Sequence, residues 1–540
     1  MHSPTTSPSA QLKLAIRANK WLLAFLVFAA IYASFLIINL GYMSLQWDEM
    51  PHLYGGLLLT RGQTQLYLTT YGYYPPLFDI LTTGYLQIFG VTATAGRLLS
   101  VTFALLAIWA VFEFAKRIYG PKYALLASIL LGVMPGFFWV SRVTMLETML
   151  IFFFTVVMFF FYSWLTRNSS KALLFGGLAL GIGILAKYEI IVAAIAMIAT
   201  VLLLLRKRLK LSLAKIMLIL IIAALVAAPW FYMVYQANGQ TKFQTIQYVI
   251  QSGAENRPDY SNRFFQPVFY LIELTWPFNN APVHPVSLPI MILGLCGLAL
   301  FAYRRKTQDV FLVTWFLVVY VFFTLLPNRQ WRYADPLLPI LAISAAVFVF
   351  FLYEKIRNWR PKQISISATQ LKFVGLFFIV IIALTIVYSG YDAYQMTAQD
   401  QYHIPIDQAT NYLANHLSQN QSAVVVCATN VLDQDMFRFY LPANMSTEQI
   451  WQYPSNAVDA FKPDFNITGF LSLCQQRNVK YIILFDYGPH MLFYNSTLDY
   501  AQVQTMIFDT HRFGDPTDQP FFGDFANNKG YRLFLVRFLG

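Results

Sequence analysis

Charge is what this chain of 540 residues has least of: Asp, Glu, Lys and Arg make up 12% of it, about half of the roughly 25% usual in soluble globular domains. Hydrophobic residues make up 57%. That balance excludes a water-soluble globular protein and places the chain in a bilayer. Cysteine is also scarce, and three residues exclude a disulfide-built scaffold. Cys296 falls in an apolar run, whereas Cys427 and Cys474 lie near the C-terminus, where their spacing is compatible with one bond or with two free thiols. The soluble-type region after Tyr391 has no phosphate loop, spaced metal ligands or nucleophile elbow. Any chemistry therefore has to come from polar clusters between apolar runs.

Those runs are abundant. Crossing the hydrocarbon takes about 20 apolar residues, and eleven stretches qualify, near 21–41, 97–115, 122–141, 146–166, 171–187, 189–205, 214–236, 287–303, 310–327, 336–353 and 373–391. The fifth and sixth are divided at Lys187, Tyr188 and Glu189, because one long helix would bury Lys187 and Glu189 at the membrane centre. The fold expected is a polytopic α-helical membrane protein with about 11 transmembrane helices.

The formal net charge of +12 would suggest a nucleic-acid partner if it were clustered on one soluble face. It is set by topology instead. With the N-terminus in the cytoplasm, 21 of the 38 basic residues fall on the inner side, facing only Glu113, Asp309 and Glu354 there, as the positive-inside rule requires. The first apolar run is too long for a cleaved signal's core and reads as an anchor. The expected organisation is a cytoplasmic tail (1–20), a membrane domain (21–391) with long outer loops at 43–96 and 237–286, and an extracytoplasmic α/β domain (392–540) in which 423–428, 479–485 and 531–539 read as buried strands. A plasma or inner membrane is the expected location.

Four polar clusters fall on the outer side in this topology: Asp48 with Glu49, Arg142 with Glu147, Lys187 with Glu189, and Arg329, Arg332, Tyr333 and Asp335. Charges commonly end spanning helices, and Lys or Arg can snorkel to the interface. Acidic residues contribute little to orientation, so the Asp48-Glu49 pair calls for another explanation. A carboxylate can take a proton from an acceptor hydroxyl while Lys and Arg neutralise a departing phosphate. Trp47, Tyr74 and other outer aromatic residues could stack on a sugar, although anchoring at the interface is their commoner role. His52 joins the acceptor-contact candidates. His52 and His284 are also the two candidates for a divalent metal, but they bring no spaced ligand set, so no metal is assigned.

The stretches WDEMPHLYGG, YYPPL, GRLLS, SRVTMLETML, GIGILAKYE and RQWRYADPLLP, in that order, resemble the GT-C superfamily, and within it glycosyltransferase family 39, the protein O-mannosyltransferase and aminoarabinose transferase group. The resemblance covers roughly residues 20–355 and implies a GT-C membrane domain. It also implies transfer of one sugar from a polyprenyl-phosphate carrier, dolichyl or undecaprenyl, to a protein, lipid or glycan acceptor. By it Asp48 matches the catalytic base, Glu49 its acidic neighbour, and Glu147 stands where the family usually has Asp. Lys187, Arg332 and Tyr333 match the donor-phosphate side, with Arg142 a further candidate there. Two departures stand out. Tyr73 and Tyr74 precede the Pro pair where the lipid A branch has Glu and Lys, and the Trp-Trp-Asp motif of oligosaccharyltransferases is absent. A lipid-linked-sugar flippase and a non-catalytic scaffold are the rival readings. The flippase would need ionisable groups near the membrane centre, and the scaffold leaves Asp48 unexplained.

Overall fold

The computed structural model describes residues 8–244, 264–275, 284–358, 368–399, 403–426, 432–454, 465–486, 500–515, 520–523 and 531–540. Cys427, much of the loop at 237–286 and the side chain of Trp47 lie outside the described residues.

Helix occupies each of the eleven apolar stretches. Among the described residues seven helices are long and apolar enough to cross a membrane: Lys20–Ile37, Ala93–Ile118, Glu147–Arg167, Arg206–Asn238, Thr307–Leu325, Trp331–Arg357 and Thr369–Gln395. Four further stretches hold shorter apolar helices, Pro121–Gly132, Ser170–Ala186, Tyr188–Leu204 and Leu288–Arg304. The chain is an integral membrane protein by these helices.

One expected span is corrected. The stretch 122–141 is not one helix but two, Pro121–Gly132 and Pro135–Val140. Met134 is extended (φ −67°, ψ 122°), because the ring of a following proline disfavours helical geometry in the residue before it. The division at Lys187 is present: the helix Ser170–Ala186 stops, Lys187 is extended (φ −159°, ψ 130°), and a short 3₁₀ turn, Tyr188–Ile191, leads into the next helix.

Between the first two long spans the chain forms three short helices instead of a loose loop. We call them α1 (Met50–Thr60), α2 (Thr64–Tyr71) and α3 (Leu77–Phe89). Gly62, at φ +71°, makes the turn from α1 into α2. Gly56 lets α1 lie against α3, since a Cβ there would come within 2.7 Å of the Thr82 methyl.

The C-terminal region folds on a five-stranded mixed sheet of β1 (Ser422–Val426), β2 (Ile450–Tyr453), β3 (Val479–Asp486), β4 (Pro520–Gly523) and β5 (Tyr531–Arg537), in the order β2-β1-β3-β5-β4. Strand β1 pairs in parallel with β2 and β3, and β5 runs antiparallel to β3 and β4. Its apolar side chains do not form an isolated core. Leu53, Leu57 and Leu58 of α1 and Leu68 of α2 belong to the same buried cluster as Val424, Phe437 and Ile482. The sheet domain is thereby packed onto the short helices that follow Asp48.

Candidate active site

Asp48 and Glu49 sit in a 3₁₀ turn, Trp47–Glu49, directly before α1, and a period of three residues per turn sends adjacent side chains in different directions. Asp48 faces outward, with its side chain 49% exposed, and its Oδ2 accepts a hydrogen bond of 2.8 Å from Arg332 Nη2. Glu49 faces inward and is fully buried against Arg97, which donates from Nε to Oε1 at 2.8 Å and from Nη2 to Oε2 at 2.7 Å. The backbone N–H groups of Thr144 and Gln46 donate to the same carboxylate. Burial alone would raise the Glu49 pKa, but the Arg97 guanidinium and these donors hold it below the ordinary carboxylate value. Glu49, expected as a second catalytic carboxylate, is a buried structural anchor because all its acceptor directions are taken.

Three loop-and-helix junctions bring the other polar groups to Asp48. Glu147 opens the helix Glu147–Arg167, where the helix dipole favours a negative charge. Its Oε1 lies 3.2 Å from Lys187 Nζ and 3.8 Å from Arg332 Nη1. Lys187 stands at the helix break, and its ammonium also lies 3.5 Å from Glu189. Arg332 and Tyr333 come from the 3₁₀ segment Trp331–Leu337, which holds Pro336, and Pro339 stands in the first turn of the following helix, Leu338–Arg357. The Tyr333 hydroxyl accepts from Asn328 at 3.2 Å, and Lys187 Nζ sits 5.9 Å from the centre of its ring.

Against this cluster lies a cavity of about 330 Å³. Its polar lining is Lys187, Glu189, Asn328 and Tyr333; Tyr73, Tyr74, Phe322 and Phe323 supply aromatic wall. An apolar cleft with a few converging charges is the usual form of a small-molecule site. Here the mostly apolar wall carries the Lys187 ammonium. Asp335, in the same segment as Arg332, is fully buried, and neither of its oxygens has a hydrogen-bond partner among the described residues. Three carboxylates, Asp48, Glu147 and Glu189, pair with the two cations Lys187 and Arg332.

Asp48, Tyr74, Glu147, Lys187, Arg332 and Tyr333 are brought together, and three expected contacts are not. Arg142, a candidate for the donor phosphate, instead donates to the carbonyls of Phe35, Leu36 and Ile38 at 3.0, 2.6 and 2.8 Å, closing the C-terminal end of the first helix, where a cation meets unpaired carbonyls. His52, expected to touch acceptor or sugar, is buried, with Nδ1 2.7 Å from Asp79 Oδ1 and its ring against Tyr74 and Phe78. Asp79 also accepts from the Tyr67 hydroxyl at 2.7 Å, and burial raises its pKa despite both partners. His284 bonds the carbonyl of Thr275 at 2.7 Å. Among the described residues no three His, Cys, Asp or Glu side chains converge to hold a metal ion.

Sequence reasoning missed Arg97, Asp79 and Asn328. Arg97 carried a usable signal: a lone charge opening a long apolar helix has to find a buried partner.

The sequence profile of the family described as dolichyl-phosphate-mannose-protein mannosyltransferase matches residues 74–233. A search of curated proteins finds no match. Among solved structures, ArnT from Cupriavidus metallidurans, bound to undecaprenyl phosphate, superposes with a TM-score of 0.60 at 15% identity, covering 96% of this chain and 98% of that one. The apo form of the same protein gives 0.63 at 15% identity, covering 97% and 99%. The oligosaccharyltransferase AglB of Archaeoglobus fulgidus, in complex with an inhibitory peptide and a dolichol-phosphate, gives 0.54 at 13% identity over 87% of this chain and 69% of that one. The chain has the GT-C glycosyltransferase fold. Its resemblance to glycosyltransferase family 39, read from the ordered motifs, agrees with the family profile and with these neighbours.

Proposed function

We propose that the protein transfers a single sugar from a polyprenyl-phosphate donor to an acceptor hydroxyl or amine at the extracytoplasmic face of the membrane. The observation that carries this reading is the half-exposed Asp48 carboxylate paired with Arg332, which Glu147 links to Lys187 in the wall of the apolar cavity. The first isoprene units lie in the cavity, and the phosphate is held by Lys187 and Arg332, with Tyr333 donating from its hydroxyl. Arginine grips a phosphate bidentately and lysine as a point charge.

Asp48 takes the proton of the acceptor as its oxygen or nitrogen attacks the anomeric carbon. The bond from that carbon to the phosphate oxygen breaks on the opposite side, so the configuration inverts. The leaving phosphate is an anion of low basicity, and Lys187 and Arg332 stabilise the charge that develops on it. Glu147 holds the two cations at a fixed separation through one shared oxygen. ArnT was solved with undecaprenyl phosphate and AglB with a dolichol-phosphate, which supports the same class of lipid anion here. The basic inner loops support the outward orientation of the site.

The test uses purified protein in detergent with an undecaprenyl-phosphate sugar, following release of lipid phosphate. Asp48→Asn lowers turnover by about 10²- to 10⁴-fold, the usual contribution of a general base, without weakening binding of undecaprenyl phosphate. Wild-type turnover in this variant overturns the assignment.

A further inference from the structure

Neither cation at the site is free of a carboxylate partner. Arg332 is paired with Asp48 at 2.8 Å and lies 3.8 Å from Glu147, while Lys187 lies between Glu147 at 3.2 Å and Glu189 at 3.5 Å. Three carboxylates thus surround two cations. An incoming phosphate therefore meets a cluster already rich in negative charge, and it gains a full ion pair only by displacing a carboxylate. The carboxylate most easily displaced is Asp48. Its side chain is 49% exposed, so water can solvate it on release, whereas Glu147 is buried and would be stranded without a partner. The Arg332 side chain is 19% exposed. Its remaining contacts, to Gln330 Oε1 at 3.2 Å and to the Met145 sulfur at 3.4 Å, are to neutral groups.

We propose that Arg332 has two alternative partners. It holds Asp48 while the site is empty and passes to the donor phosphate when that arrives, so that Asp48 becomes a free base only in the donor complex. This rests on the proposed transferase reading and deepens it: donor and acceptor bind in a fixed order, donor first. A carboxylate paired with a guanidinium has an oxygen engaged by it, here Oδ2 by Arg332 Nη2. The released carboxylate faces the acceptor side with both oxygens. The exchange breaks one ion pair and forms another and moves no proton. It also keeps an unoccupied enzyme from activating water or acceptor.

Undecaprenyl phosphate is the probe, titrated by intrinsic tryptophan fluorescence against wild-type protein, Asp48→Asn and Arg332→Gln, each first checked for a monodisperse elution profile. If Asp48 competes for Arg332, Asp48→Asn binds the lipid phosphate more tightly than wild type. A half-exposed pair makes the gain small, about two- to fivefold. Arg332→Gln binds it at least about tenfold more weakly, in line with loss of a charged hydrogen bond. Equal affinity of Asp48→Asn and wild type, with Arg332→Gln weakened, overturns the exchange but leaves the phosphate site standing. If neither variant changes affinity, the phosphate site itself is wrong. Steady-state kinetics give a second readout: donor-first order predicts that an inert acceptor analogue is uncompetitive against donor, and competitive inhibition overturns the order.

Discussion

Asp48 and Glu49 are adjacent in sequence and opposite in environment, so equal charge removal has unequal consequences. Glu49 and Arg97 form a fully buried, doubly hydrogen-bonded pair. Removing one partner of such a pair leaves an uncompensated buried charge and costs about 3–5 kcal/mol. The half-exposed pair of Asp48 and Arg332 is worth about 0–1 kcal/mol at most, after solvent screening. We therefore predict that Glu49→Gln lowers the thermal unfolding midpoint in detergent markedly, whereas Asp48→Asn leaves it within a degree or two and loses only turnover. A fall in stability for Asp48→Asn as large as for Glu49→Gln would remove the distinction between base and anchor. Sequence made the pair visible because two carboxylates end an uncharged run, but it could not divide their roles. That division depends on the phase of a single 3₁₀ turn and on where Arg97, 48 residues on, projects from its helix.

At the level of elements, the breaks decide where chemistry can be placed, and some breaks are easier to read than others. The stop at Lys187 was legible because a charge pair inside an apolar run cannot remain at the membrane centre. The break at Pro135 follows from equally local chemistry, but the run around it is apolar on both sides and hydropathy reads through it. In the sheet domain the apolar strands β1, β3 and β5 were legible, while the four-residue edge strands β2 and β4 carry too little pattern to stand out. The short helix Gln434–Tyr440, which abuts α1, carries a pH-sensitive element. Asp433 caps it by accepting from Met436 N–H at 2.9 Å. Burial first, and then the neighbouring Asp435 carboxylate, push the Asp433 pKa up to about 7, against partial relief from Arg438. Asp435 itself accepts the Tyr71 hydroxyl of α2 at 2.5 Å and pairs with Arg438 at 3.2 Å. A carboxyl that keeps its proton in the folded state and loses it near pH 4 when unfolded stabilises the fold below pH 4, and that stabilisation declines as pH rises to about 7. Limited proteolysis should release the C-terminal domain faster at pH 7.5 than at pH 5. Asp433→Asn retains the cap, because asparagine caps helices as well as aspartate, and should abolish the difference; an undiminished pH dependence in that variant would assign it to another group.

At the scale of the whole molecule, none of the described residues of the sheet domain joins the cation cluster, yet the domain covers the helices that follow Asp48. Leu57 and Leu58 of α1 share a buried cluster with Val424, Phe437 and Ile482. Arg61 donates to the carbonyl of Leu441 at 2.7 Å, and Tyr71 donates to Asp435. Apolar side chains of this size gain about 1.5–3 kcal/mol each from burial, so uncovering several at once costs more than the usual net stability of a domain allows. The short helices also carry the route from the sheet to the site: α2 ends at Tyr71, and Tyr73 and Tyr74, two and three residues further on, line the cavity. A chain ending at residue 399 keeps Asp48, Glu147, Lys187, Arg332 and Tyr333. It is nevertheless predicted to elute as aggregate, or to remain monodisperse with turnover reduced at least tenfold, because α1 and α2 lose their cover and the turn carrying Asp48 loses its support. Co-expressing residues 400–540 as a separate chain should restore part of the activity if cover alone is missing. Full turnover by the truncated chain would show that the sheet domain serves the acceptor or an assembly partner and leaves the site's geometry to the membrane helices.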